Sequence, residues 1–132
     1  MTDKIIKSED EWEQELSPEA FQVLRNKGTE GAFSGKYDGA KTPGTYHCAG
    51  CGHPLFSSNA KFDSGTGWPS FYEPVAEDAV DTETDSAHGM QRTEVLCSRC
   101  GGHLGHVFED GPEPTGQRYC MNSISLDLHE DA

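Results

Sequence analysis

Cys120 is the residue from which chemistry can start, because it is the one cysteine of five outside a C-x-x-C pair. It stands in the run from Arg118 to Leu128, RYCMNSISLDL in one-letter code. In a β-strand successive side chains alternate between faces. One face of this run would carry Arg118, Cys120, Asn122, Ile124, Leu126 and Leu128, and the other Tyr119, Met121, Ser123, Ser125 and Asp127. The first face is apolar toward its C-terminal end and begins with a guanidinium, a thiol and an amide. Such a strand would run out of a core into a cleft. Cys120 is then either a small buried hydrophobe, as free cysteine often is, or a reactive thiol. The strand alone does not choose.

Two histidines, His103 and His106, lie in the Gly-rich stretch Gly101–Pro112. The glycines argue against a helix. In a regular strand Leu104, His106 and Phe108 would share one face and His103 would take the other. Structural histidines are common, but residues 113–117 are few enough to make this stretch and the Cys120 run antiparallel neighbours. A thiol with imidazole, amide and guanidinium groups close by is what an activated nucleophile requires. Arg118 on the cysteine's face is expected to favour the thiolate.

The other four cysteines form two matching units, Cys48-Ala49-Gly50-Cys51-Gly52 and Cys97-Ser98-Arg99-Cys100-Gly101. Both have the form C-x-x-C-G-x-[HP]-L, a weak internal repeat. Together they supply four thiolates, the tetrahedral set of structural zinc. One C-x-x-C could be a redox dithiol, whereas two matched units favour a closed metal site. His53 and His103 are rival ligands, but four sulfurs already complete the shell. A hydrolytic zinc needs an open position, which that shell denies.

Between the knuckles lies Phe62–Phe71, with glycines before Trp68 and Pro69 holding it extended. Trp68 offers a flat apolar wall to a small ligand; the alternative is an anchor in the core beside Phe71. Glu73, Glu77, Asp78, Asp81, Glu83 and Asp85 follow without an intervening base, the pattern of a solvated edge. Residues 91–97 form a plausible strand into the second knuckle.

Helical signals occur only at the N-terminal end. Ser8 with Glu11 fits a capping box, followed by Trp12 and Leu16 at helical spacing. Ser17-Pro18 starts a second helix, with Ala20, Phe21 and Leu24 on one stripe and a stop at Asn26-Lys27-Gly28. From Gly31 that period disappears, and Phe33–Tyr37 and Gly44–Cys48 read as strand ends. The expectation is one domain over residues 1–132, a helical arm over 1–30 and a β core over 31–132. Hydrophobic content of 33% with 15 Gly and 7 Pro suits a loop-rich β protein. A formal charge of −13 argues against nucleic acid and anionic membrane surfaces as partners. No apolar run approaches membrane-spanning length and the N-terminus lacks a signal-peptide apolar core, so a cytoplasmic location, or import without a visible address, is expected. A monomer is the expected state.

Four ordered motifs resemble the B-type peptide-methionine (R)-S-oxide reductases. They are Cys48–Gly52, Ser64–Phe71 (SGTGWPSF), Cys97–Pro112 (CSRCGGHLGHVFEDGP) and Arg118–Ser123 (RYCMNS). The resemblance spans essentially the whole chain. It implies a mainly β fold of the β-tent type, two antiparallel sheets with short N-terminal helices, and one structural zinc on Cys48, Cys51, Cys97 and Cys100. It implies reduction of methionine R-sulfoxide in oxidised proteins, with Cys120 as nucleophile and His103, His106 and Asn122 in the catalytic site. Trp68, Phe71 and Arg118 would contact substrate. The departure is Thr66, where many relatives carry a resolving cysteine. The oxidised Cys120 would then need an outside reductant, thioredoxin or glutathione with glutaredoxin.

Overall fold

The computed structural model describes residues 8–26, 37, 42–62, 66–76, 78–86, 91–113 and 115–130. The expected strand end over Phe33–Gly35, the helix stop at Lys27-Gly28, and residues Ser64, Gly65 and Glu77 lie outside these.

Both helix starts follow their capping chemistry. Helix α1 (Glu9–Glu15) has the reciprocal capping box, in which the Ser8 side chain accepts from the Glu11 N–H and the Glu11 carboxylate accepts from the Ser8 N–H. Helix α2 (Pro18–Asn26) begins with proline, and the Ala20 N–H donates to the Ser17 hydroxyl at 3.2 Å. The buried stripe of α2 is Ala20, Val23 and Leu24, while Phe21 is only half-buried. Trp12 is 1% exposed, with the Arg25 guanidinium 4.8 Å above its ring. No described helix is long and apolar enough to cross a membrane.

Among the described residues nine strands follow in two antiparallel sheets. Strands β1 (Gly44–Cys48), β2 (Pro54–Ser57) and β9 (Leu126–Glu130) form one sheet in the order β2-β1-β9. The second sheet takes β3 (Lys61–Phe62), β4 (Ser70–Phe71), β5 (Val80–Asp85), β6 (Arg92–Cys97), β7 (His103–Phe108) and β8 (Arg118–Met121). Its order is β3-β4-β8-β7-β6-β5. The core fills the space between the sheets. Phe56 stacks on Phe71 with ring centres 4.5 Å apart, and Tyr46 meets Phe71 edge-on at 5.2 Å. Leu55, Val95, Leu104 and Met121 complete this layer at 0% exposure.

The long alternating run expected from Arg118 to Leu128 is two strands in different sheets. Residues Ser123–Ser125 form a 3₁₀ turn between β8 and β9, so alternation does not carry through. On β8 the core face is Tyr119 and Met121, and Arg118 and Cys120 look away from it. Leu126 does reach the core, but from β9.

A second departure is in β7. Val95 pairs with Gly105 and Leu96 pairs with His103, which leaves Leu104 as an extra residue. Such a bulge reverses the phase of alternation. His103 therefore comes to the same face as His106, their ring centres 5.4 Å apart, while Leu104 turns into the core. The expected opposition of the two histidines is corrected by that one residue.

Gly105 lets β7 and β8 approach. A Cβ there would lie 2.1 Å from the Cys120 carbonyl oxygen, a backbone atom that cannot move aside. We expect Gly105→Ala to cost about 3 kcal/mol, the upper part of the range for overpacking. The check is urea unfolding, and an unchanged midpoint would count against this close approach.

Candidate active site

Cross-strand partners project from the same face of a sheet. The register therefore lines up Ser70 on β4, Cys120 on β8, His106 on β7 and Glu94 on β6 in one row. On the adjoining row Arg118 faces Phe108 across β8 and β7, and Asp85 faces Arg92 across β5 and β6. Over this face opens a cavity of about 250 Å³. Trp68 and Thr66 wall it from the loop before β4, and Cys120, His106, Arg118 and Asn122 contribute from the sheet. The sequence expectation of thiol, imidazole, amide and guanidinium in one place is met.

Two expected site residues lie elsewhere. Phe71 is 0% exposed and belongs to the core, because its two-residue strand puts Ser70 on the cavity face and Phe71 on the opposite one. His103 is 2% exposed and lies behind the cavity wall, its Nδ1 2.7 Å from the Glu94 carboxylate. It supports the site without lining the cavity.

Asn122 is fixed at the point where β8 ends. Its backbone N–H and its side-chain Nδ2 both donate to the Leu104 carbonyl, at 2.9 and 3.1 Å. The Ser125 hydroxyl donates to the His103 carbonyl at 3.0 Å. The chain after Cys120 thus clamps the bulge that turns His103.

Three residues escaped the sequence reading. Asp85 looked like the end of a solvated acidic edge, yet its carboxylate lies 2.9 Å from His106 Nε2 and 3.4 Å from Arg92 Nη2. Arg92 itself lines the cavity. Glu94, the partner of His103, is 1% exposed. A signal was available. Few residues separate β5 from β6, and in the hairpin they form Asp85 falls opposite Arg92 and Glu83 opposite Glu94.

Arg118 favours the Cys120 thiolate as expected, but burial works against it. Burial pushes the thiol up, and this outweighs the downward pulls of the Thr66 hydroxyl, the Arg118 charge and the Ser70 hydroxyl. Arg118 is shared with Asp110, its Nε and Nη2 donating at 2.9 and 3.2 Å. The net direction favours the thiol over the thiolate. Thr66 Oγ1 lies 4.0 Å from Cys120 Sγ, so a hydroxyl occupies the place where a resolving sulfur would stand.

The remaining four sulfurs meet at the other end of the sheet. In each knuckle the first cysteine's carbonyl accepts from the glycine after the second cysteine, Gly52 or Gly101, at 2.8 Å. Both glycines have positive φ, 81° and 74°, which explains the G in C-x-x-C-G. Sγ atoms of Cys48 and Cys100 are 3.7 Å apart, and those of Cys51 and Cys97 3.5 Å. All four lie within 4.8 Å of one another, a set positioned to bind a metal ion. Tetrahedral zinc with bonds of about 2.3 Å has sulfur–sulfur edges of about 3.8 Å, so the donor set fits. Neither His53 nor His103 belongs to the cluster found among the described residues. Leu24 of α2 packs against Gly50 and Gly102, and Arg25 donates to the Cys100 carbonyl at 2.9 Å.

The raised Cys120 pKa sets a pH dependence. The folded state holds this proton more tightly than the unfolded chain does. The associated stability is complete below the ordinary thiol range and is lost as pH climbs through the folded value. Alkylation of Cys120 by iodoacetamide, followed by peptide mapping, should rise along a curve whose midpoint lies above that of free cysteine. Arg118→Ala should move the midpoint further up. A midpoint at or below the free value would contradict the dominance of burial.

Residues 16–130 match the SelR domain family. A peptide methionine sulfoxide reductase MsrB of Leptospira interrogans is 56% identical over 131 residues, covering 99% of this chain and 100% of its own. The protein of the same name from Bradyrhizobium diazoefficiens is 63% identical over 126 residues, 96% of this chain and 91% of its own. That of Methanosarcina mazei is 61% identical over 123 residues, 93% of this chain and 88% of its own. With a family match over most of its length and relatives this similar, the chain belongs to the SelR domain family.

Proposed function

We propose that this protein reduces methionine R-sulfoxide in oxidised proteins to methionine, with Cys120 as the oxygen acceptor. The carrying observation is the Cys120 thiol in a cavity directly across the β7–β8 ladder from His106, beneath Trp68. The relatives are named peptide methionine sulfoxide reductases, which supports the reaction class.

The chemistry balances as one oxygen transfer. Substrate enters with its S-methyl group against Trp68, which excludes water and selects one hand of the sulfoxide. The thiol proton passes to His106, and the Cys120 thiolate attacks the sulfoxide sulfur. That attack forms a sulfur–sulfur bond, and His106 returns the proton to the oxygen. The hydroxyl then moves to the cysteine sulfur as the substrate's sulfur–oxygen bond and the new sulfur–sulfur bond both break. Methionine leaves reduced by two electrons, and Cys120 remains as sulfenic acid. A thiol entering from outside attacks that sulfenic acid and releases water. A second thiol then frees Cys120 and leaves as disulfide. Thioredoxin and glutathione with glutaredoxin both suit this step, and a reducing cytoplasm suits both. Asn122 orients His106 and substrate, with His103 behind it, and Arg118 offsets the thiolate charge.

Zinc is the proposed occupant of Cys48, Cys51, Cys97 and Cys100. Its role is structural, because four sulfurs leave it no open position. Binding energy at such a site is largely folding energy. Cys97→Ser should therefore lose metal by elemental analysis and lower Tm in the same preparation. Metal-free protein with an unchanged Tm would refute the role.

The activity assay uses separated R and S sulfoxides with dithiothreitol. Cys120→Ser should abolish reduction of the R form while Tm and metal content stay as in the parent. His106→Ala should cost about 10²–10⁴-fold in kcat, the usual worth of a general acid. Trp68→Ala should instead raise KM and narrow the preference for R over S. Near-normal turnover by Cys120→Ser would end the proposal.

A further inference from the structure

We infer that Asp85 is a positioning residue for His106, holding the proton of the neutral ring on Nε2 so that Nδ1 exchanges the proton the reaction moves. The inference rests on the reading of His106 as the proton-transfer group.

Asp85 ends β5, the edge strand farthest from Cys120 among the described strands of this sheet. Its neighbours Asp81 and Glu83 are exposed, as a charged edge strand should be. The Asp85 side chain is only 13% exposed and reaches past β6 to His106 Nε2 at 2.9 Å. An ionised carboxylate only accepts, so Nε2 donates. Arg92, directly across the hairpin, donates to the same carboxylate oxygen at 3.4 Å. The acceptor is therefore held from two sides, and its own position is set by the β5–β6 pairing.

The reaction gives this contact its use. A proton must leave the Cys120 sulfur and a proton must reach the sulfoxide oxygen. A neutral imidazole has one donor and one acceptor nitrogen. With Nε2–H committed to Asp85, the Nδ1 lone pair accepts the thiol proton and the same nitrogen later donates it. A ring free to change tautomer would present a lone pair in some molecules and an N–H in others. An oriented carboxylate removes that ambiguity, as it does in hydrolytic triads. The charged and titratable groups facing His106 are Asp85 from β5, Arg92 and Glu94 from β6, His103 on β7, and Arg118 and Cys120 from β8.

The test compares Asp85→Ala and Asp85→Asn with the parent as full-length, metal-loaded protein. One readout is steady-state reduction of methionine R-sulfoxide with dithiothreitol. The other is nitrogen NMR of the imidazole-labelled chain. The parent should show His106 protonated on Nε2. Asp85→Ala should show a mixture of tautomers and a kcat lowered about tenfold to a hundredfold, less than the loss of the acid itself, with KM nearly unchanged. Asp85→Asn keeps an acceptor oxygen and the shape, guards against a variant that fails to fold, and should fall between the two. Asp81→Asn, which removes the same charge from the exposed part of β5, should keep the parent's kcat. Parent-like kcat or an unchanged tautomer in Asp85→Ala overturns the inference, as does an equal loss in Asp81→Asn. Full turnover by His106→Ala overturns the proton-transfer reading and this inference with it. Full turnover by Asp85→Ala alone overturns only this inference.

Discussion

The Leu104 carbonyl accepts two hydrogen bonds from Asn122, one from the backbone and one from the side chain, and much of the molecule hangs on that pair. The oxygen belongs to the extra residue of the β7 bulge, so the contact holds the bulge in place. With the bulge fixed, His103 and His106 share a face and Leu104 fills the core. The same contact ends β8 just beyond Cys120 and sends the chain through a 3₁₀ turn into the other sheet. There β9 pairs with β1, which ends at Cys48, the first of the four clustered sulfurs. The reactive face, the core and the cysteine cluster are thus joined through one short segment, Cys120 to Leu126.

Burial works in two directions in this fold. It stabilises the layer of Phe56, Phe71, Leu104 and Met121, each such side chain contributing about 1.5–3 kcal/mol. It also favours the Cys120 thiol over the thiolate, against the pull of nearby hydroxyls and Arg118. A resting thiol reacts slowly with adventitious electrophiles, because the thiolate is the nucleophile. Once Cys120 is oxidised, position decides its fate. Thr66, at 4.0 Å, has no sulfur to offer. Cys97 lies three residues along and two strands across from Cys120, roughly 14 Å away by strand geometry, beyond the reach of a disulfide.

Local encoding is what made parts of the fold legible in the sequence. Ser8 with Glu11 and Ser17 with Pro18 state their caps within four residues, and both helices begin there. The two C-x-x-C-G units state a turn, and both close with the same backbone bonds. The face of Arg118 and Cys120 was legible because alternation holds over four residues. Errors arose where one residue changes phase. The Leu104 bulge moved His103, and the Ser123–Ser125 turn moved Ile124 and Leu126 off the Cys120 strand. Phe71 is close to Trp68 in sequence, but it lies on β4 with its side chain in the core, while Trp68 stands on the loop before that strand. For Asp85 and Glu94 the hairpin signal reached only their pairing within β5 and β6, not their roles. Their partners, His106 and His103, lie on β7, and only the assembled sheet brings those strands together.

The central claim is that Cys120 takes the oxygen and keeps it until a thiol arrives. Its most direct test is a single turnover without reductant, using one equivalent of methionine R-sulfoxide. The products are read by intact-mass measurement, trapping with dimedone and thiol counting under denaturing conditions. One methionine should be released per chain, with Cys120 carrying a trappable sulfenic acid and the other four thiols unchanged. An internal disulfide between Cys120 and any of Cys48, Cys51, Cys97 or Cys100 would contradict the account.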